Sequence, residues 1–236
     1  MTTTSSICDN IARIREQIQH YGNGRAVELM LAAKHQPLPH LVAAYQGGGM
    51  LMGHNLIDQL ATATAGLRAQ GLTPVTAVIG HVQSNKLSTA MQWADRIDTV
   101  DSLTTAQRIN RRQEQRIASG QATGAYPVLL QLNSAQSPTQ YGCSPDEFLN
   151  LAYVVSELEY VRIAGVMTIG ARGSEADIRS SFVRTRHMAE AMRKIPGLDN
   201  ADVISMGMSG DMRIAIEEGA SVIRVGTAVF GPRTGL

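Results

Sequence analysis

Residues 75–118 read VTAVIGHVQSNKLSTAMQWADRIDTVDSLTTAQRINRRQEQRIA. Two short apolar segments, 75–79 and 97–100, have the length of buried strands, and a longer amphipathic segment follows each of them. The first of these helical segments begins near Ser84, and the second covers residues 103–118. Parallel strands need a long crossover connection, which is usually a helix. This stretch therefore predicts successive β-α units of a parallel sheet.

The same alternation continues in both directions along the chain. Ile7, Ile11, Ile14 and Ile18 recur at helical spacing and predict an opening helix. Further strands are predicted at 27–33, 50–52, 126–132, 161–168, 203–205 and 221–225, with helices from about residue 39 and over 56–70, 145–157, 174–194 and 209–219. Between them, residues 133–142 are interpreted as a mobile loop.

About eight β-α units without an internal break predict one domain over residues 1–236, an α/β fold of the (β/α)8 (TIM) barrel type. A doubly wound open sheet is the alternative, because the order of strands in a sheet cannot be read from one sequence.

Composition excludes several classes of partner. The chain has 21 Lys and Arg against 20 Asp and Glu, so no strong positive field favours nucleic acid or a membrane surface. Arg108, Arg111, Arg112 and Arg116 recur at helical spacing and are interpreted as a solvated helix face.

Targeting signals, disulfides and metal motifs are not predicted either. Residues 1–6 contain no basic or apolar region of a secretory signal, and no apolar run approaches the ~18 residues of a membrane span. We therefore expect a soluble, cytoplasmic protein. Cys8 and Cys143 are interpreted as ordinary thiols. Histidine and carboxylate spacing indicates no metal site.

Lys34 directly follows the first predicted strand. Active sites of barrels lie at the carboxyl ends of the strands. A lysine held there against apolar neighbours loses hydration, so its pKa falls and its neutral amine can attack an aldehyde. A surface lysine at the end of a strand is the alternative interpretation.

Two glycine-containing turns follow the seventh and eighth strands. The first is SMGMSGD, residues 205–211, in which Ser209 is predicted to be the N-cap of the next helix. The second is RVGTA, residues 224–228, where Gly226 and Thr227 offer backbone donors and a hydroxyl. Phosphate sites in barrels are often built by these two loops. Each turn alone is as readily explained as a purely structural element.

Barrel closure would place the eighth strand beside the first, and therefore the predicted phosphate site beside Lys34. An aldehyde and a phosphate on one small ring describe pyridoxal 5'-phosphate (PLP), and Arg224 would then point at the pyridine nitrogen. Met206 and Met208 can pack against the cofactor, or they can simply fill gaps in the core. His81 either contacts the ring or has a structural role.

The chain resembles the family of pyridoxal phosphate homeostasis proteins, which is related to the barrel domain of alanine racemase. The similarity runs nearly end to end, and three segments carry it most specifically: IGHVQSNK at 79–86, SMGMSGD at 205–211 and IRVGTAVFGPR at 223–233. Residues 167–169, MTI, are a further match.

The resemblance implies an alanine racemase-like barrel without the second β domain of the racemases. It also implies that Lys34 is the Schiff-base lysine and that Arg224 faces the ring nitrogen. By the same resemblance Ser209, Gly226 and Thr227 hold the phosphate, and Asn55 contacts the cofactor.

Four positions depart from the family pattern. The family usually has Gly-Glu-Asn-Tyr after the second strand, where this chain has His54 and Leu56 in place of the Glu and the Tyr. A Ser-Lys pair is common in the loop after the fifth strand, where this chain has Thr139 and Gln140. The family's roles for these side chains are therefore not transferred.

The predicted function is storage and delivery of PLP within the cell, with apo forms of PLP-dependent enzymes as recipients and with the protein as a monomer. Arg224 has no transferable proton at neutral pH and would leave the ring a weak electron sink. No second acid–base group is evident beside Lys34. The alternative is a PLP-dependent amino-acid racemase or decarboxylase, and a third hypothesis is a Schiff-base aldolase.

Overall fold

The computed structural model describes residues 4–231, so the Pro232 and Arg233 of the third family segment lie outside the described residues. Eight parallel strands form a closed barrel in sequence order, and the predicted (β/α)8 fold is confirmed. The strands are β1 Glu28–Ala32, β2 Leu51–His54, β3 Val75–Val78, β4 Arg96–Val100, β5 Tyr126–Gln131, β6 Val161–Met167, β7 Val203–Ser205 and β8 Val222–Val225.

Helices alternate with these strands around the outside of the barrel. They are α1 Thr4–Gly22, α2 Leu38–Gln46, α3 Ile57–Arg68, α4 Leu87–Trp93, α5 Leu103–Ala118, α6 Pro145–Ser156, α7 Glu175–Met192, α8 Met212–Glu217 and α9 Thr227–Phe230, with a 3₁₀ turn at Ser84–Lys86 before α4. Among residues 4–231, no helix is both long and apolar enough to cross a bilayer.

Closure of the barrel excludes the open-sheet alternative. Strand β1 pairs with β2 on one side, where Met30 is opposite Leu51, and with β8 on the other, where Leu31 is opposite Val225. An open sheet would leave two edges, whereas here the first and last strands are hydrogen-bonded neighbours. The loops after β1 and β8 are therefore adjacent.

Two hydrophobic layers hold the barrel together. The larger lies between strands and helices and contains the four isoleucines that predicted α1, all of them buried. The smaller fills the barrel interior, with Met30, Leu51, Ala77 and Val222 in contact. Since side chains of a strand alternate between faces, neighbouring strand residues belong to different layers.

The interior also contains charged side chains. Arg96 and Asp98 form a pair on β4, with Arg96 Nη2 3.0 Å from Asp98 Oδ2. Asp98 is fully buried, and its burial raises its pKa while the neighbouring Arg96 opposes that rise. A buried carboxylate requires such a partner, because desolvation of an isolated charge is costly.

Most predicted boundaries agree with the structure to within a few residues, but the helix after β7 does not begin at Ser209. It begins at Met212, with Asp211 at the N-cap position. Gly207 has a φ of +90°, and a Cβ there would collide with Ala215. The prediction of Ser209 as the N-cap was wrong, since this glycine turn extends the loop beyond that residue.

Hydrogen bonds organise the loop predicted over residues 133–142. Asn133 Nδ2 donates to the carbonyl oxygen of Ser137 at 2.8 Å, and Asn133 Oδ1 accepts from the Ser137 amide at 3.1 Å. Gln140 Nε2 donates to the carbonyl oxygen of Gly170 at 3.1 Å. The segment is therefore a loop with internal contacts, bonded to the loop that follows β6.

Candidate functional site

A cavity of about 440 Å³ opens at the carboxyl end of the barrel strands. Its volume lies within the range of about 300–1,000 Å³ that is usual for small-molecule sites. Six predicted site residues line it: Lys34, Asn55, Ser209, Arg224, Gly226 and Thr227. The remaining lining residues are Ala32, Gln36, Ile79, Met167, Ile169, Met208, Gly210 and Gly231. Of these, Met208 had been named as a residue that can pack against the cofactor, and the others had not been named as site residues.

Lys34 is placed by the end of β1. Ala32 is the last residue of that strand, and both Ala32 and Lys34 line the cavity. Side chains of an extended chain alternate between two faces, so residues two apart lie on the same face. Met30, Ala32 and Lys34 therefore all face the barrel interior. The Lys34 side chain is half-buried.

Gly226 brings the loop after β8 close to β1. A Cβ at this position would lie 3.3 Å from the carbonyl oxygen of Ala32 and 3.4 Å from its Cβ. A side chain would therefore separate the two segments that line the cavity on this side. The glycine is explained by close approach of two backbones, since its φ of −117° is accessible to any residue.

Hydroxyls and backbone donors gather on the same side. Ser209 and Gly210 lie in the loop after β7, and Thr227 begins the short α9. Backbone N–H groups in the first turn of a helix have no acceptor within the helix. The Met208 amide is already hydrogen-bonded, since it donates to Asp211 Oδ1 at 2.5 Å. Ser209 and Thr227 thus offer two hydroxyls to an anionic group in the cavity.

Arg224 forms part of the cavity wall and is buried. Its Nη1 donates to the carbonyl oxygen and to the hydroxyl of Ser205, both at 2.8 Å, and its Nη2 donates to the carbonyl oxygen of Thr168 at 2.7 Å. Burial lowers the pKa of Arg224 to about 10, and the charges of Asp98 and Asp211 oppose this shift. The guanidinium therefore remains a cation at neutral pH.

Asn55 is positioned by contact between two loops. A Cβ at Gly80 would collide with the Asn55 carbonyl oxygen, so the loops after β2 and β3 can touch only because residue 80 is glycine. The carbonyl oxygen of Gly80 in turn accepts from the Thr99 hydroxyl at 2.9 Å. This packing holds Asn55 at the rim of the cavity.

The two departures beside Asn55 lie in contrasting environments. His54 is buried, and neither of its ring nitrogens has a hydrogen-bond partner among residues 4–231. Burial lowers the pKa of His54 to about 4. Leu56 is 44% exposed. Neither side chain lines the cavity.

His81 also lies outside the cavity lining. Its ring stacks on Tyr141, with centroids 4.7 Å apart and planes 15° from parallel. Of the two roles left open by the sequence, the stacking contact favours the structural one, and it joins the loops after β3 and β5.

Met206 faces away from the cavity, unlike the other predicted site residues. Its side chain is fully buried in the layer between strands and helices, and it does not line the cavity. Ser205 faces the barrel interior, where it contacts Arg224, so the next residue must face outward. Met208, beyond the turn at Gly207, lines the cavity instead.

Comparison with known proteins supplies the family. A family model described as the N-terminal domain of alanine racemase matches residues 3–234. The chain belongs to the alanine racemase N-terminal domain family. This barrel family accounts for the closed parallel sheet and for the similarity along nearly the whole chain.

Two curated relatives that share one name match nearly the whole chain. Pyridoxal phosphate homeostasis protein of Pseudomonas aeruginosa is 35% identical over 237 residues, covering 97% of this chain and 96% of the relative. The protein of the same name from Escherichia coli is 30% identical over 236 residues, covering 97% of this chain and 97% of the relative.

Solved structures agree with this family membership. PipY of Synechococcus elongatus, described as having PLP bound, superposes with a TM-score of 0.82 at 29% identity, over 95% of this chain and 100% of that one. Alanine racemase from Corynebacterium glutamicum shares the fold, with a TM-score of 0.72 at 14% identity over 98% of this chain and 63% of the racemase.

Residues 4–231 contain no group of three or more His, Cys, Asp or Glu placed to hold a metal ion.

Proposed function

We propose that this protein binds PLP through a Schiff base on Lys34 and serves in intracellular PLP homeostasis. The observation that carries the proposal is one cavity lined jointly by Lys34, by the Ser209 and Thr227 hydroxyls and by Arg224. The names of the Pseudomonas and Escherichia relatives, and the PLP described in the PipY structure, support the same cofactor.

The lining residues suit each end of the cofactor. Ser209, Gly226 and Thr227 would hold the phosphate, since two hydroxyls and a backbone free of a Cβ converge there. Arg224 would face the ring nitrogen with the N–H groups that Ser205 and Thr168 leave unused. When bound, PLP supplies an aldehyde that forms a reversible imine with an amine.

Delivery is favoured over turnover by the protonation chemistry of the lining. Among the described lining residues, Lys34 and Arg224 are the ones with ionisable side chains, and the Arg224 guanidinium keeps its protons. Racemisation needs acid–base groups on both faces of the substrate. A PLP-dependent racemase or decarboxylase is therefore the second candidate.

The finer points of the proposal concern partners and location. We propose that apo forms of PLP-dependent enzymes receive the cofactor, and that the protein works as a monomer in the cytoplasm. Reversible imine exchange with an amine is all that release from such a cavity requires. Sedimentation of the PLP-loaded protein would test the monomeric state.

A direct test of the site is borohydride reduction of the PLP-loaded protein followed by peptide mapping. We expect a visible absorbance band that reduction removes and a pyridoxyl phosphate adduct on Lys34, which Lys34→Ala abolishes. Lys86→Ala is the matched control, because Lys86 pairs with Asp58 and does not line the cavity. An adduct on another lysine would overturn the site, and absence of any adduct would also favour the aldolase hypothesis.

A second test separates delivery from turnover. PLP-loaded protein is mixed with an apo aminotransferase, whose recovered activity is followed, and a panel of L- and D-amino acids is assayed without the recipient. We expect transfer and no significant stereoinversion or CO₂ release. Robust turnover that Lys34→Ala abolishes would make the protein an enzyme.

A further inference from the structure

A second cavity, of about 660 Å³, lies between α4 and α5 on the outside of the barrel. Arg112 and Arg116 of α5 line it, together with the hydroxyl residues Ser88 and Ser119. Its remaining lining residues are glutamines, so every lining side chain can form hydrogen bonds and none carries a carboxylate. None of these residues belongs to the cavity at the strand ends.

The two guanidinium groups in this cleft are half-buried and held by neutral partners. Arg112 Nη1 donates to Gln115 Oε1 at 3.1 Å, and Arg116 Nη1 donates to Gln113 Oε1 at 3.0 Å. The Arg116 guanidinium also lies over the ring of Tyr126, 5.9 Å from its centroid. These contacts fix the orientation of the cations without neutralising them.

Several other arginines of the chain are paired with carboxylates. Arg179 contacts Glu175, Glu217 and Glu218, while Arg213 contacts Glu175 and Glu217. Within residues 4–231, no ion pair involves Arg112 or Arg116. The cleft thus holds two oriented guanidinium groups whose positive charges have no carboxylate partner within residues 4–231. The whole chain, in contrast, carries a formal charge of only +1.

We propose that the cleft between α4 and α5 is a second anion site that binds the phosphate group of a phosphorylated small molecule. Two guanidinium groups and a hydroxyl match the several acceptor oxygens of a phosphate, and arginine is well suited to this contact. The glutamine carboxamides would contact the uncharged part of the ligand. The volume of the cleft suits a ligand of metabolite size.

The proposal is tested by calorimetric titration of the PLP-loaded protein with pyrophosphate and with ATP as probes. We expect saturable one-to-one binding. The double variant Arg112→Gln, Arg116→Gln should lower the affinity by about tenfold or more, because each substitution removes a hydrogen bond between two charged groups. Arg111→Gln is the matched control, since Arg111 lies on the same helix outside the cavity lining and carries the same charge.

Each other outcome overturns the proposal. Unchanged binding by the double variant would place the probes elsewhere, for example at the strand ends. Equal weakening by Arg111→Gln would indicate diffuse attraction to a basic helix face. A single-stranded oligonucleotide whose affinity rises with its length and exceeds that of both probes would indicate a nucleic-acid surface instead. Circular dichroism of every variant distinguishes lost binding from lost folding.

Discussion

Arg224 on β8 and Ser205 on the neighbouring β7 are joined by two hydrogen bonds from a single nitrogen, one to the Ser205 carbonyl oxygen and one to its hydroxyl, both at 2.8 Å. The Ser205 hydroxyl is buried inside the barrel. It therefore acts on the cavity indirectly, by fixing the direction of the guanidinium.

The first prediction concerns this positioning. Ser205→Ala removes one of the two acceptors that hold Arg224 Nη1. The guanidinium can then turn away from the cofactor, so PLP should bind about 1 kcal/mol more weakly while the barrel stays folded. Equilibrium titration with PLP and the position of the visible absorbance maximum measure the effect. Ser156→Ala is the control, because the exposed Ser156 hydroxyl bonds only its own helix at Tyr153. Identical affinities for both variants would contradict a positioning role.

A second prediction concerns the two hydroxyls that line the cavity. Ser209→Ala and Thr227→Val should each weaken PLP binding by ~1.5–3 kcal/mol, about tenfold or more, since each removes a hydrogen bond to a charged phosphate. Dissociation constants from PLP titration give the comparison. Thr62→Val controls for loss of a threonine hydroxyl, because Thr62 is exposed on α3 and bonds the Asp58 carbonyl oxygen. If both cavity variants match the wild type, the phosphate lies elsewhere.

Two glycines of the same cavity give the third prediction. Gly226→Ala places a methyl group 3.3 Å from the Ala32 carbonyl oxygen and should cost about 1 kcal/mol or more of PLP binding, as the loop is displaced. Gly210→Ala meets no protein atom within 4 Å, so it should leave its loop in place and weaken PLP binding less than Gly226→Ala does. Melting temperatures report whether either change reaches the barrel. Similar affinities for the two variants would argue against the close approach as the reason for Gly226.

The fourth prediction is a pH dependence of stability from His54. Its folded-state pKa of about 4 lies below the ordinary value of 6.5, so the unfolded chain binds the proton more readily. Stability linked to this group is complete above pH 6.5 and falls as the pH drops toward 4, by on the order of 3 kcal/mol.

Urea unfolding of the wild type and of His54→Leu across this pH range tests the linkage. Carboxylates titrate in the same range in both proteins, so the difference between their stability curves isolates His54. We expect the variant to lose less stability on acidification. Parallel curves would show that His54 is not the group responsible.

The order of strands and helices was predictable because each β-α unit repeats the same apolar pattern. Even the helix at 103–118 agrees with α5 at both ends. The closure of β8 onto β1 was not predictable from these patterns, because strand pairing is a long-range contact that no local segment encodes. It entered the prediction through the number of units and through the family resemblance.

The differences between the predicted and the observed arrangement of the site lie around one turn. Strand alternation from Ser205 would have placed Met206 on the outer layer, and this signal was available in the sequence. The positive φ of Gly207 could not be read from the sequence. It turns the backbone so that Met208 lines the cavity and the helix begins at Met212. Local patterns thus identify the residues of a loop but not the path of its backbone.

The pairing of β1 with β8 also has a consequence for when the cavity exists. Lys34 and Arg224 are about 190 residues apart, and ribosomes synthesise Lys34 long before Arg224. No folding intermediate that lacks the last strand can bring the amine and the guanidinium to one cavity. Loading with cofactor must therefore follow translation of β8, and a ligand in this cavity stabilises the closed barrel against every partly folded form.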